Sequence, residues 1–222
     1  MKLNKKLASV AVAAAMAVPA MMVATPAQAG ASADITVSNM YLWRGQSVSS
    51  PGAAVSGSLS YSADNGVYGG LWTSSEGAAG SHETDLFIGY STSLGDVGVD
   101  VSFWEYMYPE AGTDADISDT DASDFVLGLS YEGFGFGAYI NADSDNDDNS
   151  YYTLSYGMDK YSVTYGMWDL ENPGDDYSHV TLGYSATDEL SFAVSFASSG
   201  LSSGGVEEDP LFQVSYTKSF DL

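Results

Sequence analysis

Apolar and small polar residues alternate along this chain with a period of two. From Ala54 to Ser62, Val55, Gly57, Leu59 and Tyr61 share one side of an extended segment, and Ser56, Ser58, Ser60 and Ser62 share the other. That period belongs to a β-strand with one greasy and one polar face. The division repeats: Leu86, Ile88 and Tyr90 oppose Asp85, Gly89 and Ser91; Val97, Val99, Val101 and Phe103 oppose Gly98, Asp100 and Ser102; Phe125, Leu127, Leu129 and Tyr131 oppose Asp124, Gly128 and Ser130. Phe134, Phe136, Ala138 and Ile140 oppose Gly135, Gly137, Tyr139 and Asn141, and four further segments follow before the last. The first segment, around Ile35 to Arg44, is less regular and predicts a strand with a bulge near Asn39.

The links between segments alternate short with long. Short ones are tight turns: Ala63-Asp64-Asn65-Gly66, Leu94-Gly95-Asp96, Glu132-Gly133, Asp159-Lys160 and Thr187-Asp188-Glu189. Long ones, 46–53, 75–83, 110–122, 143–150, 171–176 and 198–210, are acidic and rich in Gly and Ser. Five turns and six loops separate twelve strands. One trimmed rim and one ornamented rim predict an all-β fold, a transmembrane antiparallel up-and-down β-barrel of about twelve strands.

A soluble β-sandwich also alternates, so alternation does not decide between the two. The polar face does: it carries Ser, Gly, Thr and a few acids with almost no Lys, which suits a crowded lumen. The aromatics add to this. With the short turns placed toward the periplasm, Tyr61, Tyr90, Tyr131, Phe134, Tyr161, Tyr184, Phe192 and Phe220 fall near the inner rim. Trp43, Trp72, Trp104 and Trp168 fall near the outer rim, the last three on the parity of the polar residues. Membrane interfaces select such belts. The final strand carries Phe212, Val214, Tyr216, Phe220 and Leu222 on one face. Lys218 shares that face near the rim, where its stem can snorkel.

The N-terminus changes the picture of where the chain goes. Lys2, Lys5 and Lys6 precede an apolar run from Leu7 to Val23, and Ala27-Gln28-Ala29 fits the small-x-small rule for cleavage. Residues 1–29 are therefore expected to be an export signal rather than a retained anchor, and 30–222 the barrel domain in the bacterial outer membrane. Removing the signal leaves Arg44, Lys160 and Lys218 against 30 acids. Nucleic acid binding is disfavoured, because phosphates need clustered Lys and Arg. Hydrophobic residues at 45% and aromatics at 13% argue against acidic disorder. The absence of cysteine excludes thiol catalysis, disulfides and thiolate metal sites. No cofactor motif is present.

Asn39-Met40-Tyr41-Leu42-Trp43-Arg44-Gly45-Gln46-Ser47, followed by Gly66-Val67-Tyr68-Gly69-Gly70-Leu71-Trp72-Thr73-Ser74, resembles the TorF-type porin family of proteobacterial exported proteins. Glu83-Thr84-Asp85 and Tyr108-Pro109 extend the likeness. The resemblance implies an outer-membrane barrel with a pore role and brings no substrate or catalytic residues. Beyond Pro109 the acidic loops look particular to this chain.

The candidate chemistry lies in the lumen. A barrel of twelve strands falls between eight, whose interior side chains fill, and sixteen to eighteen, which hold an aqueous channel. The expected lining includes Arg44, Ser56, Ser58, Ser60, Asp85, Asp100, Ser102, Asp124, Asn141 and His179. Carboxylates in a low-dielectric tube favour cations, so the function expected is a porin-like channel for passive diffusion of small solutes, cation-preferring. Arg44, the only arginine, is expected in the lumen, paired with an acid such as Asp85. Asp143, Asp145 and Asp147 open like a calcium loop, but Asp148 stands where Gly is needed and Leu154 where Glu is needed, so an EF-hand is rejected and only weak divalent binding is left. An enzyme is not expected: His82 and His179 are the only histidines and neither belongs to a hydrolase or metal motif. The alternatives are a structural or adhesive barrel that displays acidic, cation-binding loops and, behind it, an outer-membrane hydrolase. Expected partners are outer-membrane lipid and lipopolysaccharide, the barrel assembly machinery, and small solutes or cations.

Overall fold

The computed structural model describes residues 29–49, 52–76, 82–108, 122–142, 149–169, 176–198 and 209–222. The export signal lies outside the described residues up to position 28, as do the acidic positions Asp143, Asp145 and Asp147. Among the described residues fourteen strands run in order: β1 Gly30–Ser38, β2 Leu42–Trp43, β3 Gln46–Ser47, β4 Ala54–Ser62, β5 Val67–Ser74, β6 Glu83–Leu94, β7 Val97–Met107, β8 Ala122–Tyr131, β9 Phe134–Asn141, β10 Ser150–Met158, β11 Tyr161–Asp169, β12 Tyr177–Ser185, β13 Leu190–Ala197 and β14 Leu211–Asp221.

Twelve of these, β1 and β4 to β14, close into one antiparallel barrel, each paired with its sequence neighbours. Closure runs through β1, whose Ala33 pairs with Leu59 of β4 on one side and Phe220 of β14 on the other. No strand edge is left open, which is the condition for a sheet in lipid. The short turns gather at one rim. Four of them carry positive φ angles of the kind a tight hairpin demands, at Gly66 (91°), at Gly95 (66°), at Glu132 (45°) with Gly133 (86°) and at Asp159 (55°).

The barrel is inside out relative to a soluble protein. Ile88 is 60% exposed, Phe125 60% and Leu154 57%, while Asp85 and Asp124 are buried. The outward face is an apolar girdle and the inward face holds the polar groups, as the period of two predicts. Tyr61, Tyr90, Tyr131, Phe134, Tyr161, Tyr184 and Phe220 stand exposed on the outer surface toward the short-turn rim. Lys218 also faces outward there and pairs with Glu189 of the last short turn at 3.3 Å, an exposed contact of small energetic weight.

Two expectations are corrected. The first strand does not bulge at Asn39 and continue to Arg44; it ends at Ser38. The Asn39 amide then stands in for a peptide group on β14, its Nδ2 donating to the Phe212 carbonyl (2.9 Å) and its Oδ1 accepting from the Val214 amide (2.7 Å). With the ladder satisfied by a side chain, the chain is free to leave the wall. It turns inward, and β2 and β3 form a small hairpin inside the barrel. The second correction concerns tryptophan. Trp72, Trp104 and Trp168 lie on inward-facing positions, as their parity with the polar residues predicts, but Trp43 rides on the inner hairpin, where it packs on Trp168. The four do not form an outer lipid belt.

Candidate functional site

The inner hairpin is built by its turn. Arg44 (φ 45°) and Gly45 (φ 85°) are both left-handed, as a two-residue type I′ hairpin requires. Glycine is needed at the second position for another reason as well. A Cβ on Gly45 would stand 2.6 Å from His179 Cβ, so the tip can seat against β12 only without a side chain there. Gly166 plays the matching part in the wall: it leaves the gap on β11 across which Tyr151 of β10 and His179 of β12 meet.

The hairpin and the residue leading into it engage several sectors of the wall. Tyr41 packs on Trp72 of β5 at 5.7 Å. Leu42 is buried against Ala193 of β13 and Leu211 of β14. An inward leucine is out of place in a polar lumen until Leu42 covers it, and burying such a pair contributes about 1.5–3 kcal/mol per side chain. Carbonyls of the hairpin accept from the wall: Met40 from Gln213 (3.0 Å) and Ser38 (2.8 Å), Arg44 from the Tyr177 hydroxyl (2.9 Å). The segment thus spans the lumen between β5 and β14.

Arg44 is held at the tip. Its Nη2 donates to Asp124 Oδ2 at 2.7 Å, and both side chains are buried. The Tyr106 hydroxyl donates to the same oxygen at 3.1 Å. Four rings surround the guanidinium: Trp168 with its centroid 4.2 Å from Cζ, Trp43 at 4.5 Å, Tyr151 at 4.7 Å and Tyr139 at 5.3 Å. Guanidinium suits such a setting because it is planar, weakly hydrated and attracted to ring faces. The partner is therefore Asp124 of β8; Asp85, the acid named from the sequence, sits one strand pair away on β6.

His179 is 2% exposed beneath the tip. The Tyr151 hydroxyl lies 2.7 Å from Nε2, and Nδ1 lies 3.0 Å from Thr181 Oγ1. Thr181 donates on to Ser195 (2.9 Å), and Ser195 reaches the Gly45 carbonyl at 3.5 Å. The direction of this chain places a proton on Nδ1, which donates to Thr181. Both ring nitrogens are engaged by hydroxyls of the wall, and neither bonds to a serine directly.

The remaining inward groups divide by sector. On the β6 side, Glu83 and Asp85 are buried next to Tyr41 and Tyr108, and Tyr108 donates to Glu83 Oε1 at 3.2 Å. Burial first, and then the charges of Glu83 and Asp85, push both tyrosine hydroxyls well above their ordinary range, so they stay protonated donors. Asp85 Oδ1 has no hydrogen-bond partner among the described residues. Asp100 accepts from the Tyr68 hydroxyl at 2.9 Å, and Ser102 accepts from the Trp104 indole at 3.1 Å. On the β1–β4 side the wall is a hydroxyl ladder: Ser58 donates to Asp34, Ser60 meets Ser32 at 2.9 Å, and Ser56 lies on the same face. Asn141 closes β9 beside Asp124. The ten lining residues named from the sequence all fall on inward positions, but the structure gathers only Arg44, Asp124 and His179 into one site. Tyr139, Tyr151, Trp168, Tyr177 and Gly45 complete it, and sequence reasoning did not assign them. Their signal was parity: Tyr151 shares a face with Thr153, Tyr177 with His179 and Trp168 with Thr164.

Residues 24–197 match the model of Gcw_chp, a bacterial protein family of unknown function. No curated protein matches the sequence. Among solved structures, the KdgM porin superposes with a TM-score of 0.52 at 13% identity, over 85% of this chain and 99% of the porin. A protein from a study of in-meso crystallisation of membrane proteins superposes with a TM-score of 0.56 at 8% identity, over 87% of this chain and 84% of its own. Identities this low speak for the fold alone.

Proposed function

The chain belongs to the Gcw_chp family, and we propose that it works as an outer-membrane, porin-like channel for passive diffusion of small solutes, with a preference for cations. One observation carries the reading. The inner wall presents the carboxylates of Asp34, Glu83, Asp85, Asp100 and Asp124, and among the described residues Arg44 is the single lysine or arginine inside; Lys160 and Lys218 are exposed at the short-turn rim. Charges facing one another across a low-dielectric tube act on a passing ion more strongly than the same charges in water. Arg44 pairs with one of these five acids, Asp124, and the other four carboxyl groups have no lysine or arginine hydrogen-bonded to them among the described residues. The inner hairpin crosses the lumen, with Asp124 paired to its Arg44 and Glu83 and Asp85 next to Tyr41 at its base.

On this reading residues 1–29 are the export signal and 30–222 the barrel domain. The long loops face outward toward lipopolysaccharide, with weak divalent binding at Asp143, Asp145 and Asp147, and folding runs through the barrel assembly machinery. The likeness of the Arg44-Gly45 segment to TorF-type porins belongs to the same proposal. A second reading, a barrel that serves only to display acidic loops, is favoured by the hairpin's span across the lumen.

Planar bilayers under a potassium chloride gradient separate the two. Stepwise conductance with a reversal potential on the cation side is the expected result. Silence after verified insertion would favour display, and a reversal potential on the anion side would overturn the cation preference.

A further inference from the structure

Arg44 occupies a site that a free solute could fill. Its guanidinium lies within 4.2–5.3 Å of four ring centroids and donates to a buried carboxylate. This combination of aromatic faces with one anion is how proteins recognise soft organic cations. Two facts show that Arg44 is a tethered occupant rather than part of the wall. It arrives on a hairpin whose backbone is outside the barrel ladder, and the rest of the cage is contributed by β8 to β11 together with Trp43. Arg44 also leaves part of the cage unsatisfied: the Tyr139 hydroxyl and the Trp168 indole N–H are buried without a hydrogen-bond partner among the described residues.

We infer that the cage formed by Asp124, Tyr139, Tyr151 and Trp168 is a binding subsite for a guanidinium-bearing solute, and that Arg44 holds it closed until such a solute competes. The inference rests on the reading of the barrel as a cation-preferring channel and narrows it to a class of cargo. Sodium and potassium, compact and strongly hydrated, gain less from ring faces than a guanidinium does. The hairpin tip would then act both as a filter and as an internal competitor. A ligand must bind more tightly than the tethered side chain to displace it, and the tether gives that side chain a high effective concentration.

The test uses the full-length protein folded in detergent and checked by its heat-dependent gel mobility. Arg44→Ala empties the cage while keeping Gly45, and Arg44→Gln supplies a neutral, similarly sized side chain should the alanine variant fold poorly. Guanidinium chloride at low millimolar concentration, far below denaturing levels, is titrated against tryptophan emission, with sodium chloride at equal ionic strength as the control. Saturable quenching is expected in either variant at a concentration at least tenfold below that for the wild type. Adding Asp124→Asn should weaken it at least tenfold again. Equal titrations in variant and wild type, or an equal response to sodium, would overturn the inference. The fluorescence result stands whether or not current is seen. A conducting barrel with no guanidinium response would sink the cage and spare the channel, and a binding barrel that never conducts would do the reverse.

Discussion

Replacing Gly45 by alanine tests whether the inner hairpin is seated as described. The new Cβ would stand 2.6 Å from His179 Cβ and 2.8 Å from Cδ2, where ordinary contact begins at 3.4 Å. The tip must therefore retreat by about 1 Å, since overpacking in a dense interior costs on the order of 1–3 kcal/mol. The residue would also keep a φ near 85°, which costs an L-residue a further ~1–2 kcal/mol. Against this strain stand the hydrogen bonds from Tyr177 to the Arg44 carbonyl and from Ser195 to the Gly45 carbonyl, each worth about 0.5–1.5 kcal/mol net. Strain of this size exceeds these two bonds but not the buried Arg44–Asp124 pair as well, so the tip shifts off His179 with Arg44 still paired. Leu42, packed on Ala193 and Leu211, lies on the strand arm and keeps the base of the hairpin in place. None of the barrel ladder passes through Gly45, so the wall folds normally. The expected signature is a changed near-ultraviolet circular dichroism, because Trp43 and Trp168 pack in a tilted pair at 5.0 Å only while the tip is seated. Unitary conductance should rise and fluctuate. A folded Gly45→Ala barrel with an unchanged near-ultraviolet spectrum and unchanged conductance would refute the placement of the hairpin.

Three further outcomes are expected. Asp124→Asn strands the buried Arg44 guanidinium without its counter-charge, and loss of one partner of a buried pair costs about 3–5 kcal/mol; urea unfolding from lipid vesicles should show a lower midpoint. Replacing Asp100 and Glu83 by Asn and Gln removes two inward carboxyl groups while preserving shape, and should lower the cation-to-anion permeability ratio read from the reversal potential. Ile88→Lys places a charge midway along β6 on the exposed face, where lipid contact costs ~2–4 kcal/mol; its insertion into vesicles should be impaired, while the same change in water-facing surface would be neutral.

How much of this was legible in the sequence depends on whether a residue's position follows from local parity. The β4 pattern, Val55, Leu59 and Tyr61 against Ser56, Ser58 and Ser60, reads directly as one outward and one inward face, and the five short turns mark the hairpins. Closure into a barrel follows once an apolar face has no other apolar face to cover. Where the first strand ends does not follow. Met40-Tyr41-Leu42-Trp43 is as strand-like as its predecessor, and only the Asn39 amide, by substituting for the β14 ladder, lets the chain leave the wall. That substitution depends on a partner some 173 residues away in sequence, so no local pattern reports it. The choice of Asp124 over Asp85 as the partner of Arg44 has the same origin: both acids have inward parity, and only the depth of the inserted tip selects between them.

The aromatics supply the last step. In a barrel of twelve strands the lumen is too wide for wall side chains alone to fill, yet Tyr151 has no exposed surface at all and Tyr139 is 2% exposed. Large inward rings this far from water require an occupant. The chain contains one segment fit for the part: an Arg-Gly pair able to form a type I′ turn, flanked by Trp43 on one side and followed by small polar residues. Inward aromatic parity and the turn signature are two halves of one feature, since rings need a cation or apolar group to cover them and Arg44 needs faces and a carboxylate to be buried at all. Removing either half should release the other. Trp168→Ala and Arg44→Ala are therefore expected to show coupled rather than additive effects on stability, a double-mutant interaction of 0.5 kcal/mol or more being the magnitude typical of residues in contact.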